Sequence, residues 1–201
     1  MARYNRVPLT NLDQAALFTP DDVMDGAPIA GPVIVYDDDH YYMGGVIAEK
    51  LSQQGHAVTL VTPAPLASAW TVNTLEQGRI QARLIDLGVT ILANHGLSGF
   101  RDGTAELACA FTGRRVELAA AAIVLVTARL AEDLLYTDLL ARQDEWASAG
   151  IRTVERIGDA LAPGTIAAAT FSGHRYAREL DRDWGDEVPF LRENAELGPW
   201  S

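Results

Sequence analysis

Residues 33–61 limit what this chain can fold into more than any other stretch. Val33-Ile34-Val35-Tyr36 is an unbroken apolar run, which suits a strand covered on both faces in a parallel sheet. Beyond the turn from Asp37 to Tyr42, residues 45–54 carry Val46, Ile47, Ala48 and Leu51 at helical spacing, and Gly55 stops the helix. Ala57-Val58-Thr59-Leu60-Val61 reads as the next strand. Strand, helix and strand in so short a span make a right-handed βαβ unit, and the chain is predicted to be α/β.

The rest of the pattern extends that unit. Thr74 to Leu87 reads as a second helix, with Leu75, Ile80, Leu84 and Leu87 on one face and Gly88 as its stop, followed by the strand Val89 to Leu92. Between Gly96 and Val116, the glycines at 99, 103 and 113 separate short strand-like runs, which predicts a small antiparallel meander. Ala120 to Thr127 is a strong buried strand, Asp133 to Ala149 a surface helix, Ile151 to Ile157 a weaker strand, and Thr165 to Asp181 a long helix. The first thirty residues read as an extended lead-in holding one short helix, capped by Thr19 with Pro20 at its first position and ending near Gly26. After Trp184 the tail is polar, with Pro189 and Pro199. The expected architecture is a three-layer Rossmann-like domain over residues 30–127, with a central parallel sheet and a small antiparallel meander, flanked by residues 1–29 and 128–201.

Charge narrows what such a domain can bind. A formal charge of −11 over 201 residues, with no Lys/Arg cluster, opposes nucleic acid and anionic membrane surfaces. The N-terminus lacks the apolar core of a signal peptide, and Ala119 to Val126 is far too short to cross a membrane. The one cysteine, Cys109, cannot form an internal disulfide and is read as a packed, inert thiol. A soluble protein of the cytoplasm is expected.

The turn after the first strand carries the functional reading. A dinucleotide fold needs G-x-G-x-x-G there, so that the backbone can approach a pyrophosphate and offer helix N–H groups to it. By direct count the three glycine positions hold Asp37, Asp39 and Tyr42. With Asp38 between them, the carboxylates would face the pyrophosphate at a cost of roughly 1 to 4 kcal/mol each. The second strand ends in Thr62-Pro63, where a carboxylate for the ribose hydroxyls is customary. Loss of dinucleotide binding is the expectation, with Gly44 and Gly45 serving close packing of helix on strand. Asp37, Asp38, Asp39 and His40 offer oxygen and imidazole ligands, but four adjacent residues rarely converge on one ion, and the turn is expected to be solvated and to hold no metal.

The segments TPDDVMDG (19–26), VIVYDDDHYYMGGVIAEKLSQQGHAVTLVTPA (33–64), TLE (74–76) and RIGDALAPGTIAAATFSGHRYAREL (156–180) resemble the C-terminal region of the trimethylamine, dimethylamine and histamine dehydrogenase family, related to dienoyl-CoA reductase. The resemblance covers most of the chain and includes the glycine-poor turn. It implies a parent oxidoreductase with a flavin barrel bearing FMN and a 4Fe-4S cluster, followed by FAD-like and NAD(P)-like domains. On that mapping residues 30–127 are the degenerate NAD(P)-like domain, while residues 1–29 and 128–201 belong to the FAD-like domain. The resemblance also implies that Gly158, Asp159 and Thr165 are a vestigial FAD or ADP site, although Asp159 equally suits a turn cap before the last helix. No catalytic residue and no cofactor are expected in this chain alone. His174, His40, His56 and His95 each read as surface or packing residues, since none stands beside an evident nucleophile. The implied partners are the flavin barrel and an electron-transferring flavoprotein, with self-association favoured by surfaces that face absent domains. The alternative implied by the same family is a working NAD(P)H-binding domain that passes hydride to a flavin, as in dienoyl-CoA reductase.

Overall fold

The computed structural model describes residue 12 and residues 16–180. The polar tail after Trp184 and most of the lead-in before residue 16 lie outside the described residues. The chain divides into two compact units, Met1–Ala128 and Arg129–Ser201.

The first unit is built on five parallel strands. They are β1 (Leu17–Phe18), β2 (Val33–Asp37), β3 (Val58–Val61), β4 (Thr90–Leu92) and β8 (Ala122–Val126), in the order β1-β8-β2-β3-β4. A second, antiparallel sheet of β5 (His95–Arg101), β6 (Thr104–Cys109) and β7 (Arg115–Ala119) is the predicted meander. Helices α1 (Pro20–Met24), α2 (Tyr42–Gln53) and α3 (Gln77–Asp86) complete the unit.

Alternation along the central strands explains the layers. Val33 and Val35 of β2, Val58 and Leu60 of β3, and Ala122, Val124 and Val126 of β8 pack with Ile47, Ala48 and Leu51 of α2 and Leu84 of α3. Ile34, Tyr36, Val61, Ile123 and Leu125 point the other way, onto Leu97, Phe100, Ala105 and Leu107 of the meander. A sheet covered by helices on one face and by a second sheet on the other has no solvent side, so its strands read as continuous apolar runs. The expected three-layer α/β fold is the one present.

Several boundaries differ from the sequence reading. α1 carries the expected Thr19 cap in a full capping box, in which the Thr19 side chain accepts from Asp22 N–H and the Asp22 carboxylate accepts from Thr19 N–H. The two-residue β1 had no sequence signal, being too short for periodicity. The stretch from Ala120 begins later as β8, because residues 115–119 pair with β6 as β7. The segment read as helix from Thr74 starts instead with a 3₁₀ turn at Ala69–Thr74, and α3 begins at Gln77.

The second unit contains α4 (Leu134–Ala141), α5 (Trp146–Ala149) and α6 (Ile166–Glu179). The strand expected at Ile151 to Ile157 is absent: those residues are irregular, with no strand partner among the described residues. Without a ladder the backbone has no reason to extend. None of residues 129–180 is buried, and Leu134, Leu135, Ile166 and Phe171 are all more than two-thirds exposed. Among the described residues no helix is long and apolar enough to cross a membrane.

Candidate functional site at the carboxyl end of the parallel sheet

In an open parallel sheet, ligands bind beyond the carboxyl ends of the strands, where neighbouring connections diverge to opposite sides. Here that point lies between β2 and β8, since β2 leads through α2 to β3 while β8 sits on its other side. The turn formed by residues 38–41 occupies it.

Asp37 is not in the turn. It is the last residue of β2, paired with Val126, and its side chain is completely buried. The ladder runs one step further, as Asp38 N–H donates to the Val126 carbonyl at 2.8 Å, and Asp38 is buried as well. The expectation of a solvated acidic turn therefore fails for Asp37 and Asp38 and holds for Asp39 alone. Counting glycine positions treats residue 37 as loop, whereas pairing with β8 draws it into the sheet.

The Asp37 carboxyl lies against the first turn of α2. A Cβ on Gly44 would stand 2.4 Å from Asp37 Cγ and 2.6 Å from its Oδ2, so only glycine fits there. Asp37 Oδ1 accepts from His40 N–H at 3.0 Å, while Oδ2 is buried with no hydrogen-bond partner among the described residues. Burial pushes the carboxyl up to about 7, opposed by the His40 N–H and reinforced by the charge of Asp39. At Gly45 the close neighbours are Ser68 Oγ and Ile80, so this glycine receives the segment before α3 and α3 itself rather than a strand.

His40 stands at a left-handed φ of 61°. Its carbonyl accepts from Trp70 N–H at 2.8 Å, its Nδ1 is 3.3 Å from Thr62 Oγ1, and its Nε2 is 3.6 Å from Asp38 Oδ1. Thr62, at the position where a ribose-binding acid is customary, is fully buried and also accepts from Ala64 N–H. Tyr42, at the third glycine position, opens α2 and donates its hydroxyl to the Glu76 carboxylate. Sequence reasoning missed the buried Ser68 and Thr71, which hold the turn before α3, because isolated small polar residues in a loop carry no pattern.

No group of three or more His, Cys, Asp or Glu side chains suited to a metal occurs among the described residues. An iron-sulfur cluster does not fit this chain, which has one cysteine against the four thiolates required. That cysteine is not packed away as expected: Cys109 is partly exposed at the end of β6, and a hydrogen bond from Thr112 draws its thiol below the usual range.

In the second unit, Gly158, Asp159 and Thr165 lie around one turn. Gly158 N–H donates to Ser172 Oγ at 3.0 Å, Asp159 Oδ1 accepts from Gly164 N–H at 3.2 Å, and Thr165 caps α6 by accepting from Ala168 N–H. Each thus fastens local backbone. Of the histidines, His174 is exposed on α6, His95 Nδ1 is 2.8 Å from the Ala93 carbonyl, and His56 packs against Gly31.

Comparison with known proteins bears out the family resemblance. The chain is 34% identical to the dimethylamine dehydrogenase of Hyphomicrobium sp. (strain x) over 96% of its own length and 29% of that protein. Among solved structures, histamine dehydrogenase from Rhizobium sp. 4-9 is 49% identical, with a TM-score of 0.91 over 99% of this chain and 31% of that one. The 6-hydroxypseudooxynicotine amine oxidase of Pseudomonas geniculata N1 is 38% identical, with a TM-score of 0.81 over 90% of this chain and 27% of that one. The chain thus spans under a third of the length of these relatives, and it is related to flavin-dependent amine dehydrogenases. Residues 18–122 match the OYE-like second alpha/beta domain, and the chain belongs to that family.

Proposed function

We propose that this chain is the nucleotide-binding-like portion of an amine dehydrogenase-type oxidoreductase, with a structural role and no catalytic residue of its own. The observation that carries this reading is Asp37: a buried carboxyl, seated on Gly44, stands where a dinucleotide fold keeps a bare glycine backbone open to pyrophosphate. Asp38, His40 and Thr62 close in around it. NADH and NADPH do not fit such a crevice.

The chemistry of the whole enzyme, oxidation of an amine by FMN with electrons leaving through a 4Fe-4S cluster, is assigned on this reading to a flavin barrel outside this chain. Residues 128–201 are assigned to an FAD-like domain completed by further polypeptide. The absence of any buried side chain among residues 129–180 supports that assignment, since a self-sufficient domain buries a core. Gly158, Asp159 and Thr165 form one side of an ADP site there. An electron-transferring flavoprotein is the external partner that this role implies.

Isothermal titration of the purified chain with NADH, NADPH and ADP, with absorbance recorded for bound flavin, tests the reading. The expected result is no heat from NADH or NADPH and no flavin colour. Saturable NADH or NADPH binding would overturn it and favour a reductase that passes hydride to a flavin.

A further inference from the structure

The proposed function leaves the Asp37 carboxyl without a task beyond blocking the crevice, yet it begins a chain of contacts. Its Oδ1 holds His40 N–H, and His40 carbonyl holds Trp70 N–H at 2.8 Å. Trp70 belongs to the 3₁₀ turn Ala69–Thr74, bracketed by Ser68 at φ 49° and Leu75 at φ 61°. That turn presents Trp70, Val72 and Leu75 outward, Leu75 at 90% exposure. Three non-glycine residues, His40, Ser68 and Leu75, are thus kept in left-handed conformations that the backbone disfavours, and such strain persists only where surrounding bonds impose it.

We propose that the Asp37 carboxyl is a proton-operated latch: neutral, it holds the His40 turn and the Ser68–Leu75 segment against the first turn of α2; ionised, it releases them. A neutral acid can remain in the dry space beside Gly44. A carboxylate with one oxygen unpartnered draws water in or moves out, because a buried charge without a partner is costly. Among the described residues no cation faces it to compensate. α2 meets it with Gly44, the paired position on β8 is Val126, and the charged groups that act on it are Asp39 and Asp38, both of like sign. His40 lies in the same turn, with its ring toward Asp38 and Thr62. Burial first, then the adjacent carboxylates against the His40 and Asp39 N–H groups, places the proton equilibrium at about 7. The released state changes how the apolar ridge of Trp70, Val72 and Leu75 is displayed.

The test is ¹H–¹⁵N NMR of the full chain from pH 5 to 9, following the His40 and Trp70 backbone amides in wild type, Asp37→Asn and His40→Asn. Asparagine tolerates the left-handed conformation at residue 40 and removes imidazole titration. The expected result is one shared midpoint near 7 for both amides in wild type, retained in His40→Asn and lost in Asp37→Asn. Above that midpoint, Trp70 amide exchange should quicken at least tenfold beyond the pH effect alone. Titration that persists in Asp37→Asn, vanishes in His40→Asn, or is missing from wild type would overturn the latch. If Asp37→Asn does not fold, the Asp37 carboxyl ¹³C signal of wild type decides: a midpoint near 7 shared with Trp70 supports the proposal, and one below 5 refutes it.

Discussion

Replacing Gly44 with alanine probes the contact on which the site is built. The new Cβ would lie 2.7 Å from Asp37 Cβ as well as 2.4 Å from Cγ. Rotation about χ1 can move Cγ and its oxygens, but not Asp37 Cβ, which the β2 ladder fixes; strand and helix must therefore part by several tenths of an ångström. Overpacking of this kind costs about 1–3 kcal/mol. Turning the carboxyl away also forfeits its bond to His40 N–H, worth about 1–2 kcal/mol. Against this, alanine is favoured over glycine within a helix by up to about 1 kcal/mol. The balance is a net loss of about 2–3 kcal/mol, read as a lower urea midpoint at unchanged m-value. In an Asp37→Gly background every one of the clashing atoms is gone, and Gly44→Ala is expected to stabilise by up to about 1 kcal/mol through helix propensity. The sign of one substitution thus reverses with the residue at 37. Equal cost in both backgrounds, or a gain in the wild-type background, would refute the packing described between Asp37 and Gly44.

Three further outcomes are expected. Because Asp37 is raised from 3.8 to about 7 in the folded state, the unfolded chain holds fewer protons between those values, and stability is lost as pH rises through that window. The loss is up to about 4 kcal/mol, and Asp37→Asn should flatten it, as urea melts at pH 4.5 and 7.5 would show. Cys109 should react with iodoacetamide faster than an ordinary thiol near pH 8, and Thr112→Ala should slow it by restoring the thiol toward its usual range. Leu75→Gly should raise stability by about 0.5–1 kcal/mol in thermal melts, since it relieves a left-handed φ of 61° without removing burial.

What the sequence revealed of the fold followed from periodicity. The apolar runs at Val33 and Ala122 announced central strands because both faces of the sheet are covered, and the glycines at 103 and 113 marked the meander turns, both at positive φ. Where partners rather than local pattern decide, the reading failed. Leu17–Phe18 is a strand only because β8 lies beside it, and Ile151 to Ile157 is not one because no ladder meets it among the described residues. At the site, the count set Asp37, Asp39 and Tyr42 at the fingerprint positions, and in the structure Asp37 ends β2 and Tyr42 opens α2. The burial of Asp37 was hidden from it, because alternation along a strand cannot foresee a carboxyl turned onto a helical glycine. Ser68 and the left-handed His40 were equally silent, being fixed by contacts with residues far along the chain.

The strand order has a bearing on how the molecule is made. β8 lies between β1 and β2, yet it is the last strand of the first unit to be synthesised, and Val33 must wait for Ala122 before its pairing is complete. Until then the growing chain carries β2 with one edge open, a row of backbone N–H and C=O groups beside some of the most apolar residues in the protein. Loop closure over so long an interval is slow, and an open apolar edge invites pairing with another chain. A ribosome stalled before residue 122 would therefore release a product prone to aggregate, whereas a few residues beyond Val126 the same sequence could close its sheet.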